Sequence, residues 1–396
     1  MAEASRRNKK SKQNIIHDDS YLPLVKKQKK AAPKITSVAT KVPLDDALKG
    51  FTKGNFVCSP FSLEILLGML AFGATGQTLE QLLEFLGHET LDQLRSESPT
   101  SKLFAQILTN PNGGKGNLDI NLANAIWLDK KLSPVCLLSS YKEVLNTVYN
   151  TKARFADFKN KPKAVRKINA WADKKTKGLI PTIVTEDDLT GEEDLVFANA
   201  LYFKGIRSNP FKANMTKKKK FKLINGGKVL APFMTNYEDF HYGSFSGYSM
   251  LKIPYETNGQ SNEFSINFYL RERKLDEVWI PKFKITYKFE AHDVMKEMGL
   301  TLPFDPNNKE ITKILGEWIY VSKVLQKSFI EVDEKGTEAA TVSLMSMRVG
   351  CRCPPPRPPP ASFVADHPFM FMIREDTSRA VFFIGVVLNP VENSLA

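Results

Sequence analysis

Apolar residues recur at helical spacing early in the chain, at Leu79, Leu82, Leu83 and Leu86. Separations of three and four residues place these leucines on one face of an α-helix, which predicts that this face is buried. Thr78, with Gln81 three residues later, has the pattern of a capping box and predicts where the helix begins. Gly87 predicts where it ends.

Two other helices are predicted from comparable signals. Ser59 directly precedes Pro60, and a serine cap followed by proline at the first helical position is typical of a helix N-terminus. Residues 165–172 repeat apolar positions at helical spacing before Gly178, which predicts an amphipathic helix. A short helix is also predicted at residues 311–315.

Strand patterns dominate the second half of the chain. Residues 196–203 form a buried apolar run, and residues 221–270 alternate short apolar segments with glycine turns, as in a meander. A strand is predicted at residues 327–332, and a strand pair at residues 380–388. Helices come first and strands later, which predicts an α+β fold without internal repeats.

A strand pattern runs directly into a hinge-like segment and a long loop. Gly336 follows the predicted strand, small residues follow the glycine, and a proline-rich run closes the segment at residues 354–360. Glycine adopts torsions that other residues resist, and small side chains fit between strands without clashing. We therefore predict a mobile loop whose hinge consists of Glu334, Gly336, Thr337, Glu338, Ala339, Ala340 and Thr341.

The loop also has the alternation that a buried strand requires. Successive residues of a strand point to opposite faces. The residues on one face are small or apolar and suit a buried face: Thr337, Ala339, Thr341, Ser343, Met345 and Met347. The residues on the other face are Glu338, Ala340, Val342, Leu344, Ser346 and Arg348, and the two charged ones, Glu338 and Arg348, suit solvent. Proline cannot donate to a strand ladder, so such a strand must end before Pro354.

Composition narrows the class of protein. The chain has 396 residues, 42% of them hydrophobic, which is enough for a sizeable core. We predict no membrane segment, because no apolar run is long enough to cross a bilayer. The N-terminal residues lack the apolar core of a signal peptide, and four cysteines form no disulfide framework, so a nuclear or cytoplasmic location is expected. Cys58 and Cys136 are expected to be buried packing residues.

The net charge of +13 is concentrated in two places, the N-terminal residues 1–30 and the run Lys217–Lys220. Such charge favours anionic partners, nucleic acid included. The alternative is a disordered tail and a solvated turn, and no nucleic-acid-binding motif accompanies the charge. The five histidines lack metal-ligand spacing, and no catalytic motif is found, so we expect no metal, no cofactor and no enzymatic activity.

Several segments together resemble the serpins, a family of protease inhibitors. They are residues 55–62 with 70–76, 197–205, the hinge at 331–341, 363–369 and 383–390. The region around Ile180-Pro181 and residues 363–369 look most like plant members. The resemblance implies an α+β serpin fold: a large central mixed β-sheet, smaller β-sheets, surrounding helices and an exposed reactive-centre loop. It implies a serpin domain at residues 41–396, with the loop at about 336–362. The resemblance does not cover residues 1–40, which are charged with little periodicity and are predicted to form a disordered basic extension.

The resemblance also implies a mechanism. A target endopeptidase attacks a loop bond and forms an acyl-enzyme; the cut loop then enters the main sheet as a new strand, and the covalent complex is trapped. Counting from the hinge by family analogy places the bond at Gly350-Cys351. Arg352-Cys353 and Arg348-Val349 remain open, because arginine is a better anchor for a trypsin-like protease and a shift of two residues keeps the same face buried.

The chain departs from the family pattern at three points. The family usually has two short helices and a strand where only residues 271–278 intervene, which should expose apolar surface of the smaller sheets. Arg207 replaces a usual tryptophan at the top of the main sheet. Gln326 replaces a histidine in the cluster through which the central strands part, whose other members here are Ser59, Ser62 and Asn199.

Three hypotheses follow. The first is a plant-type inhibitor of serine or papain-like cysteine proteases, expected to be monomeric. The second is a serpin fold that no longer inhibits and acts as a binding or scaffold protein, with a nuclear location left open. The third is a nuclear protein that binds nucleic acid weakly through its basic tail.

Overall fold

The computed structural model describes residues 34–50, 54–109, 118–132, 137–236, 240–256, 263–271, 278–336 and 363–392. Within these ranges the α-helices are α1 Lys34–Leu48, α2 Pro60–Ala71, α3 Gly76–Leu86, α4 Pro99–Thr109, α5 Ser139–Thr147, α6 Lys161–Lys175 and α7 His292–Glu297. The strands are β1 Phe56–Cys58, β2 Leu118–Asp129, β3 Ala153–Ala156, β4 Leu195–Gly205, β5 Lys217–Lys222, β6 Lys228–Met234, β7 His241–Phe245, β8 Tyr248–Pro254, β9 Phe264–Arg271, β10 Val278–Pro281, β11 Phe283–Glu290, β12 Val321–Val332, β13 Phe363–Val364, β14 Phe369–Glu375 and β15 Val381–Val387.

The strands form three sheets. The five-stranded sheet has the order β11-β12-β4-β2-β3, the six-stranded sheet β1-β15-β14-β9-β8-β7, and the four-stranded sheet β13-β10-β6-β5. The helices and the mixed sheets confirm the predicted α+β class.

Strand β4 shows how the five-stranded sheet divides the core. Its residues Leu195, Phe197, Leu201 and Phe203 join the large core that includes α2. The alternating residues Val196, Ala198, Ala200 and Tyr202 pack with α6 on the opposite face. Successive residues of β4 point to opposite faces of the sheet, and both sets are apolar. The strand therefore contributes to two cores, one on each side of the sheet.

Helix α2 is buried on nearly all sides because it lies between the five-stranded and six-stranded sheets. Phe61 of α2 stacks on Phe382 of β15 with ring centroids 4.3 Å apart. Ser59 caps the helix by accepting a hydrogen bond from the Ser62 N–H, which confirms the predicted start. On the other side of the sheet, Trp171 of α6 meets Trp127 of β2 edge to face at 6.1 Å.

The predicted capping box at Thr78 is wrong. Helix α3 begins two residues earlier, and the carboxylate of Glu310 accepts hydrogen bonds from the N–H groups of Gln77 and Thr78 and from the Thr78 hydroxyl. Gln81 instead accepts from the backbone of Thr301. Glu310, which is distant in sequence, therefore supplies the cap that the local pattern of Thr78 and Gln81 had predicted.

Other boundaries also differ from the predictions. Residues 34–40, placed in the disordered extension, belong to α1, where Ile35 and Val38 are buried. Residues 311–315 form a turn rather than a helix, and residues 380–388 contain the single strand β15. Gly87 ends α3 in the left-handed conformation, as predicted.

No helix in the described ranges is both long and apolar enough to cross a membrane.

Candidate functional site

Strands β12 and β4, at the centre of the five-stranded sheet, run parallel to each other, while β11 pairs with β12 and β2 with β4 in antiparallel fashion. The two central strands are aligned from Val321 beside Leu195 up to Phe329 beside Tyr202. Both strands continue beyond that last pair, β12 to Val332 and β4 to Gly205, without further pairing to each other. The sheet is therefore open between the C-terminal ends of its two central strands.

The hinge enters this opening. After β12 the chain turns at residues 333–336, and Gly336 forms antiparallel bridges both to Asp333 and to Ile206, the residue that follows β4. The Arg207 N–H donates to the Lys335 carbonyl at 3.1 Å, and the Phe211 N–H to the Glu334 carbonyl at 2.7 Å. Gly336 thus lies between the two central strands in the direction that an inserted antiparallel strand would take.

Only glycine fits at position 336. Its φ is +126°, a value that other residues rarely adopt. A Cβ there would lie 2.4 Å from the Gly205 carbonyl oxygen and 2.7 Å from the Arg207 nitrogen, both of which are backbone atoms. The close approach of the hinge to the end of β4 explains the glycine that the sequence pattern singled out.

Arg207 is fully buried beside the hinge. Its guanidinium Nη1 donates to the carbonyl oxygens of Asp333 and Glu334, and its Cζ lies 4.9 Å from the centre of the Phe211 ring. Nε and Nη2 are buried without a hydrogen-bond partner in the described part of the chain. Burial lowers the pKa of this guanidinium, which is the expected sign for a cation removed from water.

Glu334 fastens the same turn to the residue between β10 and β11 and to the residue just before β5. Its carboxylate lies 2.8 Å from Lys282 Nζ and accepts a hydrogen bond of 2.7 Å from the Thr216 hydroxyl. Burial opposes ionisation of this carboxyl, but the hydrogen bonds from Lys282 and Thr216 prevail, so its pKa is lowered. Of the predicted hinge, Glu334 and Gly336 are described; Thr337, Glu338, Ala339, Ala340 and Thr341 lie outside the described residues.

The structure separates the four residues of the predicted opening cluster into two hydrogen-bonded groups. Gln326 Oε1 accepts from the Ser59 N–H at 2.7 Å, and Gln326 Nε2 donates to the Ser59 carbonyl at 2.9 Å. Asn199 lies next to Gln326 across the β12–β4 pair, but it donates to Asn124 Oδ1 at 2.8 Å. Ser62 donates its N–H to Ser59 Oγ, while its own hydroxyl has no partner in the described part of the chain.

Asn124 was missed by the sequence reasoning. It lies directly opposite Asn199 on β2, so Asn124, Asn199 and Gln326 form a polar row across three strands beneath α2. The only sequence signal was a single asparagine within the otherwise apolar run of residues 122–128. Its partner became evident only from the register of β2 against β4.

The remaining candidates lie outside the described residues: Arg348, Val349, Gly350, Cys351, Arg352 and Cys353 of the proposed reactive bonds, as well as Cys136. Cys58 is fully buried, as predicted, and its burial raises the pKa of the thiol. The described residues contain no group of three or more histidine, cysteine or acidic side chains that could hold a metal ion.

The six-stranded sheet carries a partly exposed apolar patch on one face. Met250, Tyr269 and Met370 lie side by side on one face of β8, β9 and β14. Met370 is 38% exposed, and Tyr248, on the same face, is 40% exposed.

Comparisons with known proteins agree with this architecture. The family model described as serpin (serine protease inhibitor) matches residues 44–270 and 260–390. Serpin-Z10 of Arabidopsis thaliana is 38% identical over 373 residues, which are 85% of this chain and 92% of that protein. Serpin-Z2A of Triticum aestivum is 31% identical over 373 residues, 86% of this chain and 92% of its own length.

Among solved structures, Arabidopsis AtSerpin1 in a native stressed conformation superposes with a TM-score of 0.75 at 30% identity, covering 91% of this chain and all of that one. Serpin48 of the insect Tenebrio molitor gives the same TM-score at 24% identity, covering 90% of this chain and 97% of its own, and supports the fold alone. The family model and the plant relatives both span most of the sequence, and the chain therefore belongs to the serpin family of serine protease inhibitors.

Proposed function

We propose that this protein is a serpin-type inhibitor that traps a serine or papain-like cysteine protease by cleavage and insertion of its loop. The observation that carries the proposal is the parallel pair β12–β4 with Gly336 bridged into its open end. β12 and β4 now pair with each other in parallel. A new strand that runs antiparallel to both and lies between them would form an antiparallel ladder with each. The resemblance to AtSerpin1 in a native stressed conformation supports a strained starting state.

The chemistry requires no catalytic group from this chain. The protease nucleophile attacks a loop carbonyl, the peptide C–N bond breaks, the new amine takes the proton, and an acyl-enzyme ester or thioester forms. The loop segment before the cut then becomes a strand between β12 and β4, with Gly336 as its pivot. Gly350-Cys351 is the proposed bond, and Arg352-Cys353 and Arg348-Val349 are the alternatives.

The test is incubation with a panel of trypsin-like and papain-like proteases, followed by denaturing electrophoresis. We expect a covalent complex that resists SDS, with a released C-terminal peptide whose first residue, read by mass spectrometry, identifies the bond: Cys351, Cys353 or Val349. Cleavage of the loop across the whole panel without any complex would overturn the inhibitory proposal.

A second function is favoured by the buried Arg207. Its guanidinium holds the turn at Asp333 and Glu334 against the end of β4, where insertion has to begin. A serpin fold in which this contact prevents insertion would act as a binding or scaffold protein. Thermal melting before and after loop cleavage distinguishes the two: a large rise in melting temperature supports insertion, and an unchanged value supports the scaffold.

We further propose that the protein is a monomer in the nucleus or cytoplasm. Its basic N-terminal extension, ahead of the serpin domain, is proposed to bind nucleic acid weakly. Deletion of residues 1–30 should abolish nucleic-acid binding together with its salt dependence. Unchanged binding by the deletion variant would exclude the extension as the binding element.

A further inference from the structure

The lysine run is not a turn but the edge strand β5 of the four-stranded sheet. Lys218, Lys220 and Lys222 point to one face and are exposed, while Phe221 on the other face is buried. Lys219, also on that other face, lies with its Nζ 3.7 Å from the centre of the Trp279 ring. The charges are therefore held in a rigid row along a paired strand.

The neighbouring strand extends this row into a surface. Directly opposite Lys218, Lys220 and Lys222 on β6 lie Pro232, Leu230 and Lys228. Leu230 is 62% exposed, so an apolar side chain is surrounded by lysines. We call the outward side chains of Lys218, Lys220, Lys228 and Leu230 the lysine face.

The positive charge of this face is poorly compensated. Residues 195–236 contain eight lysines and one arginine but no aspartate or glutamate. Lys222 is paired with Asp366 at 2.9 Å, but the described part of the chain places no carboxylate within ion-pair distance of Lys218, Lys220 or Lys228. Lysines on an edge strand also discourage edge-to-edge aggregation, but that role needs neither an exposed leucine nor a charge excess on the face.

The position of β5 relates it to the loop. Thr216, just before β5, donates a hydrogen bond from its hydroxyl to Glu334, which lies where the loop begins. At the other end of β5, the Lys222 N–H donates to the Asp366 carbonyl at 2.7 Å, just after the loop ends. The lysine strand thus runs from one base of the loop to the other. A protease that engages a bond between Gly336 and Phe363 is therefore attached to a segment whose two ends are anchored at the two ends of β5.

We infer that the lysine face is a docking surface for an acidic patch on the target protease, and that it raises the rate at which that protease is captured. The inference rests on the proposed inhibitory function. Charge complementarity steers association and increases rate constants by about ten- to a thousandfold at low salt. The exposed Leu230 favours a protein partner, because it gives the partner an apolar contact that a phosphate backbone does not use.

The test compares Lys218→Glu/Lys220→Glu with a control of equal charge change, Lys102→Glu/Lys142→Glu, on the exposed surfaces of α4 and α5. For a protease that forms the covalent complex, we expect the first variant to associate about tenfold more slowly at low salt, with a flattened salt dependence and an unchanged stoichiometry of inhibition. The control should stay within about twofold of the unmodified protein. Equal rates for the two variants would overturn the docking surface.

A second measurement keeps this inference separable from the inhibitory function. If no protease gives a complex, the inhibitory function fails, and the lysine face is tested by fluorescence anisotropy with a labelled oligo-glutamate peptide. Binding that is lost in Lys218→Glu/Lys220→Glu and kept in the control supports the face, and no binding by the unmodified protein overturns it. Duplex DNA of the same charge is compared with the peptide. If the DNA binds more tightly, needs the same lysines and is unaffected by Leu230→Ser, the assignment to a protein partner is overturned.

Discussion

The guanidinium of Arg207 donates a hydrogen bond to the main-chain carbonyl of Asp333, at the point where β12 ends and the hinge begins. A buried cation thus occupies the entrance through which the loop would pass. The same guanidinium has two buried donor groups without partners in the described residues, Nε and Nη2, so its desolvation is only partly compensated.

Arg207→Met should be tolerated better than Arg207→Lys. Both carbonyls keep another donor when the guanidinium is removed, because Gly336 N–H reaches Asp333 and Phe211 N–H reaches Glu334. Methionine removes the unpartnered buried donors, and we expect a change within about 1 kcal/mol in the free energy of unfolding. Lysine leaves a buried ammonium without the planar fork or the stacking on Phe211 and should cost about 2 to 4 kcal/mol. Urea unfolding measures both, and a more stable lysine variant would contradict this account.

Gly336→Ala should release the hinge from the end of β4. The added Cβ meets the backbone of Gly205 and Arg207, and the φ of +126° adds strain. Hydrogen exchange should show faster exchange of the Arg207 amide, which donates to Lys335, and the loop should be cleaved faster. The control is Gly226→Ala, where φ is +83° but no atom lies within 4 Å of the new Cβ. Equal protection of the Arg207 amide in both variants would contradict the steric argument.

Glu334→Gln should weaken the hinge at neutral pH but not in acid. The pKa of Glu334 is lowered in the folded protein, so its stabilising effect is complete above the unfolded-state pKa near 4.5 and is lost as the pH falls through the lower folded value. The difference in melting temperature between the unmodified protein and the variant should therefore shrink below about pH 4.5.

Glu331→Gln is the matched control for this carboxylate, because the Glu331–Lys284 pair is 3.6 Å apart with both side chains nearly half exposed. An exposed pair of this kind contributes about 0.5 kcal/mol or less. A pH dependence for Glu331→Gln as large as that for Glu334→Gln would mean that the hinge contact has no special importance.

Gln326→His should make stability depend on pH in a range where the unmodified network does not titrate. Gln326 is fully buried and both donates to and accepts from the backbone of Ser59. A neutral imidazole can reproduce at most part of this pairing, and burial lowers its pKa, so stability should fall as the pH drops below about 6.5. Gln326→Ala should cost about 3 kcal/mol at every pH, because both Ser59 groups lose their partner. Thermal melting between pH 5 and 8 follows both variants; identical curves for Gln326→His and the unmodified protein would refute the prediction.

Short sequence patterns correctly predicted those features of the fold that depend on contacts between residues close together in the chain. Ser59 before Pro60 predicted the start of α2, and its hydroxyl caps the helix as expected. Apolar periodicity predicted α6, because a buried helix face repeats with the period of the helix. A continuous apolar run predicted β4, because a strand buried on both faces is apolar at successive positions. The cap of α3 was predicted wrongly because the acceptor, Glu310, approaches from more than two hundred positions along the chain.

The sequence by itself determined the family resemblance, the alternation of small residues after the hinge and the position of the hinge glycine, because these depend on residue type and spacing along one segment. The reason that only glycine fits at position 336, its approach to the backbone of Gly205 and Arg207, came from the tertiary structure. Tertiary structure decided the rest: that Arg207 is buried against Asp333, that Asn124 completes the polar row with Asn199, and that the lysine strand joins the two bases of the loop. Those relationships depend on which strands pair and in what register, and register is set by the packing of whole sheets rather than by any short run of residues.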